Sequence, residues 1–415
     1  MKDEERKTKD ERRRTMEKKK IIKTSTIPTS LDTFCKGQLK MLSEYFEVVA
    51  VSSPEKELKW IEEREGVRTI AVPMERHISI VNDLKSLFKM IRVFRKEKPY
   101  IVHSMTPKAG LISMLAAKIC GVPVRMHTYT GLVFPTATGI KQKILIWMDK
   151  LLCSCATYIN PEGLGVANDL KKFKITKKPL HIIGNGNVRG IDAEYWKRSN
   201  DERKTKGEGR RTIDKERKTK DEERRTKDDE RNSSLKSKVF TFVFVGRIVG
   251  DKGINELIEA FKRLKPHSAK LVLVGTFEEK LDPIKPETKQ EIDKNTNIEW
   301  VGRQADVRPF YEQADAFVFP SYREGFPNTV LEAGAMGLPS IVTNINGANE
   351  IIIPEENGLI IPSKDAEALF QAMQRFIDEP ELVKKMANNA RIIVIDRYEQ
   401  KYIWGELLKV YQSFE

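Results

Sequence analysis

The sequence predicts an α/β protein built from two Rossmann-like domains, each with a parallel sheet covered by helices on both faces. Short apolar segments alternate with stretches in which apolar residues recur at helical spacing, a pattern typical of parallel sheets buried on both faces. The pattern runs from Ile21 to about Ile191 and starts again after a charged segment. A chain of 415 residues also exceeds the size that one hydrophobic core usually supports.

Both domains show strand-like apolar segments that end in a turn. In the first half, Leu84, Leu87, Phe88, Ile91 and Phe94 recur at helical spacing between two of these segments. The predicted strands are FEVVAVSS from Phe46, TIAVP from Thr69, YIVHS from Tyr100, VRMHTY from Val124, FTFVFVG from Phe240, KLVLVG from Lys270, NIEWVG from Asn297 and AFVFPS from Ala316.

Shifts in composition divide the chain into five segments. We predict a charged tail over 1–20, an N-terminal domain over 21–191, a junction with a charged insert over 192–237, a C-terminal domain over 238–395 and a C-terminal helix over 396–415. We expect the insert to be disordered, because it has almost no residue able to bury apolar surface. We expect the last helix to cross back to the N-terminal domain.

The net charge of +14 is concentrated in near-copies of one charged unit. Residues 1–20 and 198–238 contribute +4 and +5 of it. Basic residues there alternate with acids and lack aromatic neighbours, whereas nucleic-acid grooves concentrate positive charge beside stacking platforms. We therefore interpret the repeats as solvated tails and expect no nucleic-acid partner. Alternating charges can also stabilise an isolated helix, but the Thr and Gly residues that interrupt the repeats disfavour it. The copies are ERKTKDERRRT from Glu5, ERKTKGEGRRT from Glu202 and ERKTKDEERRT from Glu216.

No apolar run reaches the length of a membrane span, because Lys118, Lys143 and Asp149 interrupt the longest stretches. The charged N-terminus shows no secretory signal pattern. The four cysteines show neither a paired framework nor a metal or redox spacing. We therefore expect a cytoplasmic protein with reduced thiols and no zinc site.

Two predicted helices, Leu84–Lys98 and Ile140–Leu152, mix apolar residues with Lys and Arg. Helices that lie on a membrane surface have this composition. Packing on the sheet explains the apolar faces as well. We favour packing, and peripheral contact with the inner, cytoplasmic face of the membrane remains the alternative.

The segment VGRIVGDKG, from Val245 to Gly253, lies between a predicted strand and a helix that begins near Ile254. Backbone N–H groups at such a helix start attract anions, and Arg247 and Lys252 add positive charge. The segment is suited to a diphosphate. A glycine turn with two solvent-facing cations explains the same residues equally well.

The segment EGFPNTVLE, from Glu324 to Glu332, follows the strand that ends near Pro320. Asn328 or Thr329 is expected to cap the helix that follows. Carboxylates accept hydrogen bonds from paired hydroxyls, so Glu324 and Glu332 are suited to hold sugar rings. A capping Glu and a solvated Glu are the alternative, which we disfavour because this loop and the cationic turn lie at the same edge of one sheet.

These residues resemble the retaining glycosyltransferases of family 4, which have the GT-B fold of two Rossmann-like domains facing across a cleft. The resemblance covers nearly all of the chain outside the repeats. It depends most on the Glu-x7-Glu pair, on the Gly-Arg and Lys-Gly pairs of the cationic turn, and on the run PSYREGFPNTVLEAGAMGLPSIVTNINGANEI from Pro320. A Gly-Gly pair usual in the family appears here as Asn346-Gly347, followed by Glu350.

The resemblance implies a role for each residue of the donor site. Glu324 contacts the transferred sugar, Glu332 binds the ribose hydroxyls, and Arg247 and Lys252 bind the diphosphate. With His127, which would face the donor sugar from HTYTG, the residues Glu324, Arg247 and Lys252 form the expected catalytic set. The remaining donor-binding residues are Gly246, Gly325, Phe326, Pro327, Asn328 and Thr329.

On the acceptor side, the loop HSMTPKAG supplies His103, Thr106 and Lys108 as candidates. TSLDTFCKGQ from Thr29 is a second acceptor-loop candidate, and it resembles the subgroup that builds lipid-linked oligosaccharides for capsules and glycoproteins. GNGNVRG from Gly184 looks like a dinucleotide fingerprint, but its last spacing is one residue too long and no convincing helix follows.

The resemblance therefore implies an enzyme that moves an N-acetylhexosamine or hexose from a nucleotide-diphosphate donor, a UDP-sugar in particular, to a saccharide acceptor, free or linked to polyprenyl diphosphate. The donor is a substrate, so we expect no cofactor. The sequence contains no D-x-D, so we expect no essential metal. Retention implies that the diphosphate departs from, and the acceptor attacks, the same face of the sugar. No protein side chain is expected to act as the nucleophile.

Three other kinds of protein share features of this sequence. A glycosidase also uses paired carboxylates, but the cationic turn has little purpose for a substrate without phosphate. A nucleotide-sugar epimerase shares the two-domain architecture. A non-catalytic binding protein would use the charged repeats to bind its partner.

Overall fold

The computed structural model describes residues 18–75, 79–199, 239–278 and 282–414. Their contacts divide the chain into two compact units. One unit holds residues up to Gly190 together with those from Lys401 onward, and the other holds Ile191–Gln400. The disorder expected for the charged insert concerns residues 200–237, which lie outside the described residues, as do residues 1–17.

Within its described residues, the first unit contains a six-stranded parallel sheet in the order β3-β2-β1-β4-β5-β6. Its strands are β1 (Lys20–Thr24), β2 (Glu47–Ser52), β3 (Arg68–Ala71), β4 (Ile101–Met105), β5 (Val124–Tyr129) and β6 (Tyr158–Pro161). Its helices are α1 (Pro28–Cys35), α2 (Gln38–Ser43), α3 (Lys56–Glu65), α4 (Ile80–Glu97), α5 (Pro107–Ile119), α6 (Gly139–Cys155) and α7 (Leu164–Lys172).

Two hydrophobic clusters cover the faces of this sheet. Helices α4, α5 and α6 contribute to the cluster that contains Met90 and Ile112, and α1, α2 and α3 contribute to the one that contains Leu39 and Leu58. Two expectations need correction here. β1 begins at Lys20, inside the predicted tail, and the Thr29–Gln38 stretch forms most of α1 instead of a loop.

The second unit repeats the architecture, with the described strands ordered β12-β11-β10-β7-β8-β9 and every neighbouring pair parallel. Its strands are β7 (Phe240–Val245), β8 (Ala269–Val274), β9 (Ile298–Gly302), β10 (Ala316–Phe319), β11 (Ser340–Thr343) and β12 (Gly358–Ile361). Its helices are α8 (Ile254–Lys262), α9 (Pro286–Lys294), α10 (Arg308–Gln313), α11 (Asn328–Ala335), α12 (Ala348–Ile351), α13 (Ala366–Asp378) and α14 (Pro380–Tyr398). The predicted α/β fold with two Rossmann-like domains is confirmed.

The described start of the predicted junction is packed into the second unit. Trp196 is buried in the hydrophobic core of that unit. The Arg391 guanidinium donates to the carbonyl oxygens of Ala193 and Trp196, and the Arg198 side chain donates to the Met336 carbonyl at 2.6 Å. Residues 192–199 are therefore part of a domain and not of a linker.

The chain returns to the first unit at its end. Helix α14 continues to Tyr398, past the predicted start of the last segment, and α15 (Gln400–Gln412) follows after Glu399. Trp404 in α15 donates to the Arg189 carbonyl at 3.0 Å, and Tyr411 contacts His103. Along the described parts of the chain, no helix is long and apolar enough to cross a membrane.

The turn after β7 and the loop after β10 meet at the carboxyl edge of the second sheet, because the two strands are neighbours. Gly253 stands at this contact with a left-handed backbone (φ +71°). A Cβ atom there would overlap the carbonyl oxygen of Pro320. Only glycine provides both the backbone angle and the close approach.

We predict that Gly253→Ala destabilises the protein more than Gly66→Ala. Both residues have a left-handed backbone (φ +71° and +65°), but a Cβ at Gly66 meets no atom within 4 Å. Gly66→Ala should cost about 1 kcal/mol of backbone strain. Gly253→Ala should cost about 1–3 kcal/mol more because of the overlap. Scanning calorimetry of the full chain measures both losses, and equal losses would contradict the close approach.

Candidate active site

The cationic turn follows β7 directly. Gly246 is the first residue after the strand, a short 3₁₀ turn spans Gly250–Lys252, and α8 begins after Gly253. Nη1 of Arg247 donates to Oε2 of Glu278 at 2.9 Å, and Nη2 lies 4.0 Å from Asp251. Burial opposes the charge on the guanidinium, but the bond to Glu278 and the nearby carboxylates outweigh it and raise the pKa of Arg247. Arg247 is a fixed positive charge at this edge.

Lys252 and Glu324 form an ion pair between the turn and the loop after β10. Both side chains are mostly buried, with 14% and 19% of their surfaces exposed. The Ser321 hydroxyl donates to the same carboxylate oxygen at 3.1 Å, and the Lys252 ammonium lies 5.3 Å from the centre of the Phe319 ring. The structure therefore brings together the predicted diphosphate-binding lysine and the predicted sugar-binding glutamate.

Further bonds tie the turn to the loop. The backbone N–H of Tyr322 donates to the Asp251 carbonyl at 2.8 Å, and the Arg323 guanidinium lies 3.2 Å from the Asp251 carboxylate. The Tyr322 hydroxyl donates to Glu256 at the start of α8 at 2.5 Å. Because these contacts act at several points, they fix the positions of the cations relative to the carboxylate.

The loop Gly325–Pro327 is buried and leads into α11. Asn328 is the first residue of the helix and Thr329 the second, so neither is the cap; Pro327 occupies that position. Glu332 lies further along the helix and is 8% exposed. Phe326 packs against Tyr398 with ring centres 5.3 Å apart, so its side chain belongs to the core.

The Asn346-Gly347 pair lies against this loop. Gly347 has a left-handed backbone (φ +74°), and a Cβ atom there would meet Gly325, Phe326 and Pro327. Its N–H lies 3.3 Å from the Glu350 carboxylate. The glycine of the pair is thus needed for contact with the loop, whereas the Asn position accepts a side chain.

His127 does not lie at an open surface. It projects from β5 beneath α5, is 1% exposed, and its Nδ1 lies 2.8 Å from the Ser104 hydroxyl. A Cβ atom at Gly110 of α5 would overlap its ring. Burial lowers the pKa of His127 to about 3, so the ring is neutral at physiological pH. The structure places His127 in the interior of the first unit, and its expected contact with the donor sugar stays a prediction.

The predicted acceptor residues are not gathered in one place. His103 projects into the cluster opposite His127, where its two ring nitrogens contact Tyr411 and the Thr128 hydroxyl. Burial lowers the pKa of His103 well below its ordinary value. Thr106 lies at the strand end with a left-handed φ of +69°, and its hydroxyl lies 2.9 Å from that of Thr26. Lys108 pairs with Asp83 of α4 at 2.7 Å.

The sequence analysis did not identify Glu278, or Asp251 within the turn itself, as partners of Arg247. Glu278 follows β8, which neighbours β7. Reading the ends of all adjacent strands together would have found it, since ligands of open parallel sheets bind beyond the strand ends. No group of three or more His, Cys, Asp or Glu suited to a metal ion occurs among the described residues.

Two Rossmann-like domains, with fixed cations beside a carboxylate at one sheet edge, define an enzyme class that handles nucleotide-diphosphate sugars, the GT-B glycosyltransferases. Two family models match the chain: a glycosyl transferase 4-like domain over residues 40–186 and glycosyl transferases group 1 over residues 226–392. The chain belongs to this family and is a glycosyltransferase.

Individual proteins agree with this assignment. CapM of Staphylococcus aureus, a capsular polysaccharide biosynthesis glycosyltransferase, is 33% identical over 407 residues, which cover 96% of this chain and 98% of CapM. The Escherichia coli UDP-Gal:alpha-D-GlcNAc-diphosphoundecaprenol alpha-1,3-galactosyltransferase is 27% identical over 344 residues, covering 80% of this chain and 81% of that enzyme. The structure of Anabaena HepE with UDP-glucose shares the fold, with a TM-score of 0.73, 15% identity and coverage of 95% and 99%. The epimerase alternative receives no support.

We predict that the His127 ring does not titrate between pH 5 and 8, because burial keeps it neutral down to about pH 3. NMR of the ring protons against pH measures this, with the urea-unfolded chain as the control, where the same ring should titrate near pH ~6.5. A midpoint near 6.5 in the folded protein would show instead that the ring is open to solvent.

Proposed function

We propose that the enzyme transfers a hexose or N-acetylhexosamine from a UDP-sugar to a saccharide carried on polyprenyl diphosphate, with retention at the anomeric carbon. The contact between Lys252 and Glu324, beside Arg247, is the observation that carries the donor part. The names of the relatives support the rest, because the Escherichia coli enzyme is named for UDP-Gal and for an undecaprenol-diphosphate acceptor and CapM for capsular polysaccharide.

In this proposal the diphosphate lies between Arg247 and Lys252. Both cations are held by carboxylates in the structure, Arg247 by Glu278 and Lys252 by Glu324. A diphosphate carries more negative charge than one carboxylate, so it competes for both cations and for the backbone N–H groups of the turn. Glu324 is then released toward the hydroxyls of the sugar, and Glu332 binds the ribose.

The transfer step then needs correctly positioned substrates and positive charge beside the leaving group. The bond from the anomeric carbon to the donor phosphate oxygen breaks while the acceptor oxygen forms a bond to the same carbon on the same face. The acceptor proton passes to an oxygen of the departing diphosphate. Arg247 and Lys252 stabilise the negative charge that develops on the leaving group, a form of catalysis that fixed charges supply efficiently. We therefore propose that a divalent metal is not required.

On the acceptor side, we propose that Thr106 and Lys108, which lie at the carboxyl end of β4, contact the acceptor. His103 and His127 are buried in the first unit, so we assign them positioning roles there and no contact with substrate.

We predict that Arg247→Ala and Glu324→Ala each lower the transfer rate about 100-fold or more, as loss of one charge-stabilising group typically does. The measurement is sugar transfer and UDP release from a panel of UDP-sugars, with a chelator present throughout.

Arg263→Ala is the matched control, because Arg263 follows the last residue of α8 in the same domain and pairs with Glu367 at the surface. It should keep wild-type activity and the wild-type melting temperature. Arg247→Ala and Glu324→Ala should remain folded, with a lower melting temperature in Glu324→Ala because Lys252 loses its mostly buried partner. Full activity in Arg247→Ala, or activity that depends on added metal, would contradict the proposal.

A further inference from the structure

The first turns of α4 and α6 carry large apolar side chains that the protein leaves exposed. We call this set the two-helix apolar surface; it consists of Ile80, Leu84 and Phe88 on α4 and Ile140, Ile144 and Trp147 on α6. The exposed fractions are 64% for Phe88 and 62% for Trp147. The spacings place each trio on one face of its helix.

Packing on the sheet does not account for these residues, so the favoured sequence interpretation is wrong for them. The sheet-facing positions are others: Met90, Ile91 and Phe94 on α4, and Leu152 and Cys153 on α6. These core residues lie in the later turns of the two helices, whereas the exposed trios lie in the earlier turns.

The two helices share one layer. Both pack against α5, which lies between them. α4 follows β3 and α6 follows β5, so both begin at the carboxyl edge of the first sheet. Thr106 and Lys108 lie at the same edge, which places the exposed apolar residues at the end of the domain where the proposed acceptor enters.

Within the two helices the exposed charges have one sign; just before α4, Glu75 is exposed and accepts a hydrogen bond from Asn82. Along Ile80–Glu97 and Gly139–Cys155, both fully described, no carboxylate is exposed. Asp83 pairs with Lys108 and Glu97 pairs with Arg68, and burial raises the pKa of Asp149 to about 7. The exposed charges are cationic: Lys85, Lys89, Arg92, Arg95, Lys96, Lys141, Lys143 and Lys150.

We propose that the two-helix apolar surface docks the enzyme on a bilayer of anionic lipid. Apolar side chains that enter the headgroup region, with lysines beside them, are the combination that binds such surfaces. A second copy of the chain is a poor occupant, because two surfaces of the same positive charge repel. The inference rests on the proposed function in one respect, that a lipid-linked acceptor gives the enzyme a reason to reach the membrane.

The test is co-sedimentation of the full chain with phosphatidylcholine vesicles, with and without phosphatidylglycerol. The wild type should bind only when phosphatidylglycerol is present. The double variant Phe88→Ser/Trp147→Ser should bind at least about tenfold more weakly, because two large apolar side chains no longer enter the bilayer. Both positions are exposed, so folding should be unaffected.

Trp60→Ser is the matched control, because Trp60 is 56% exposed on α3, which covers the other face of the sheet. It should bind vesicles like the wild type. Equal losses in Trp60→Ser and the double variant, absence of wild-type binding to anionic vesicles, or dimerisation that requires Phe88 and Trp147 would each overturn the inference.

UDP binding, measured by calorimetry without lipid, separates this inference from the proposed function. The double variant should bind UDP like the wild type. If UDP binds normally but wild-type protein does not bind vesicles, the docking surface is wrong and the donor site stands. If vesicles bind but UDP does not, the docking surface stands and the donor site is wrong.

Discussion

The ion pair between Lys252 and Glu324 is the contact on which the account of the donor site depends. It joins the loops that follow β7 and β10, two neighbouring strands at the centre of the second sheet. Because both side chains are mostly buried, each charge is stabilised by the other until a ligand takes the partner's place. Gly253 lets the two loops approach closely, and the contacts that Tyr322 and Arg323 donate to Asp251 fix their relative position.

This arrangement keeps two cations in place before the donor arrives. Arg247 and Lys252 each have a carboxylate partner, Glu278 and Glu324, which holds the side chain and leaves it able to exchange that partner for a diphosphate. A site prepared in this way need not reorganise when charge develops on the leaving group. Polar residues at the strand ends of the first unit also contact one another, as Thr106 contacts Thr26 and Lys108 pairs with Asp83.

Much of the fold and part of the site could be predicted from sequence. Strand segments such as FTFVFVG and the residues Arg247, Lys252 and Glu324 are specified by local pattern, and the strand-end rule places them together. The burial of His103 and His127 could not be predicted, because it depends on which face of a strand a residue occupies and on the helix above that face. The exposure of Phe88 and Trp147 could not be predicted either, since helical spacing shows that a face is apolar but not what covers it.

The most direct test of the central claim is a crystal structure of the protein with bound UDP. The account predicts diphosphate oxygens within hydrogen-bonding distance of both the Arg247 guanidinium and the Lys252 ammonium, with the Lys252–Glu324 pair opened. A diphosphate held elsewhere in the protein, with that pair intact, would contradict it.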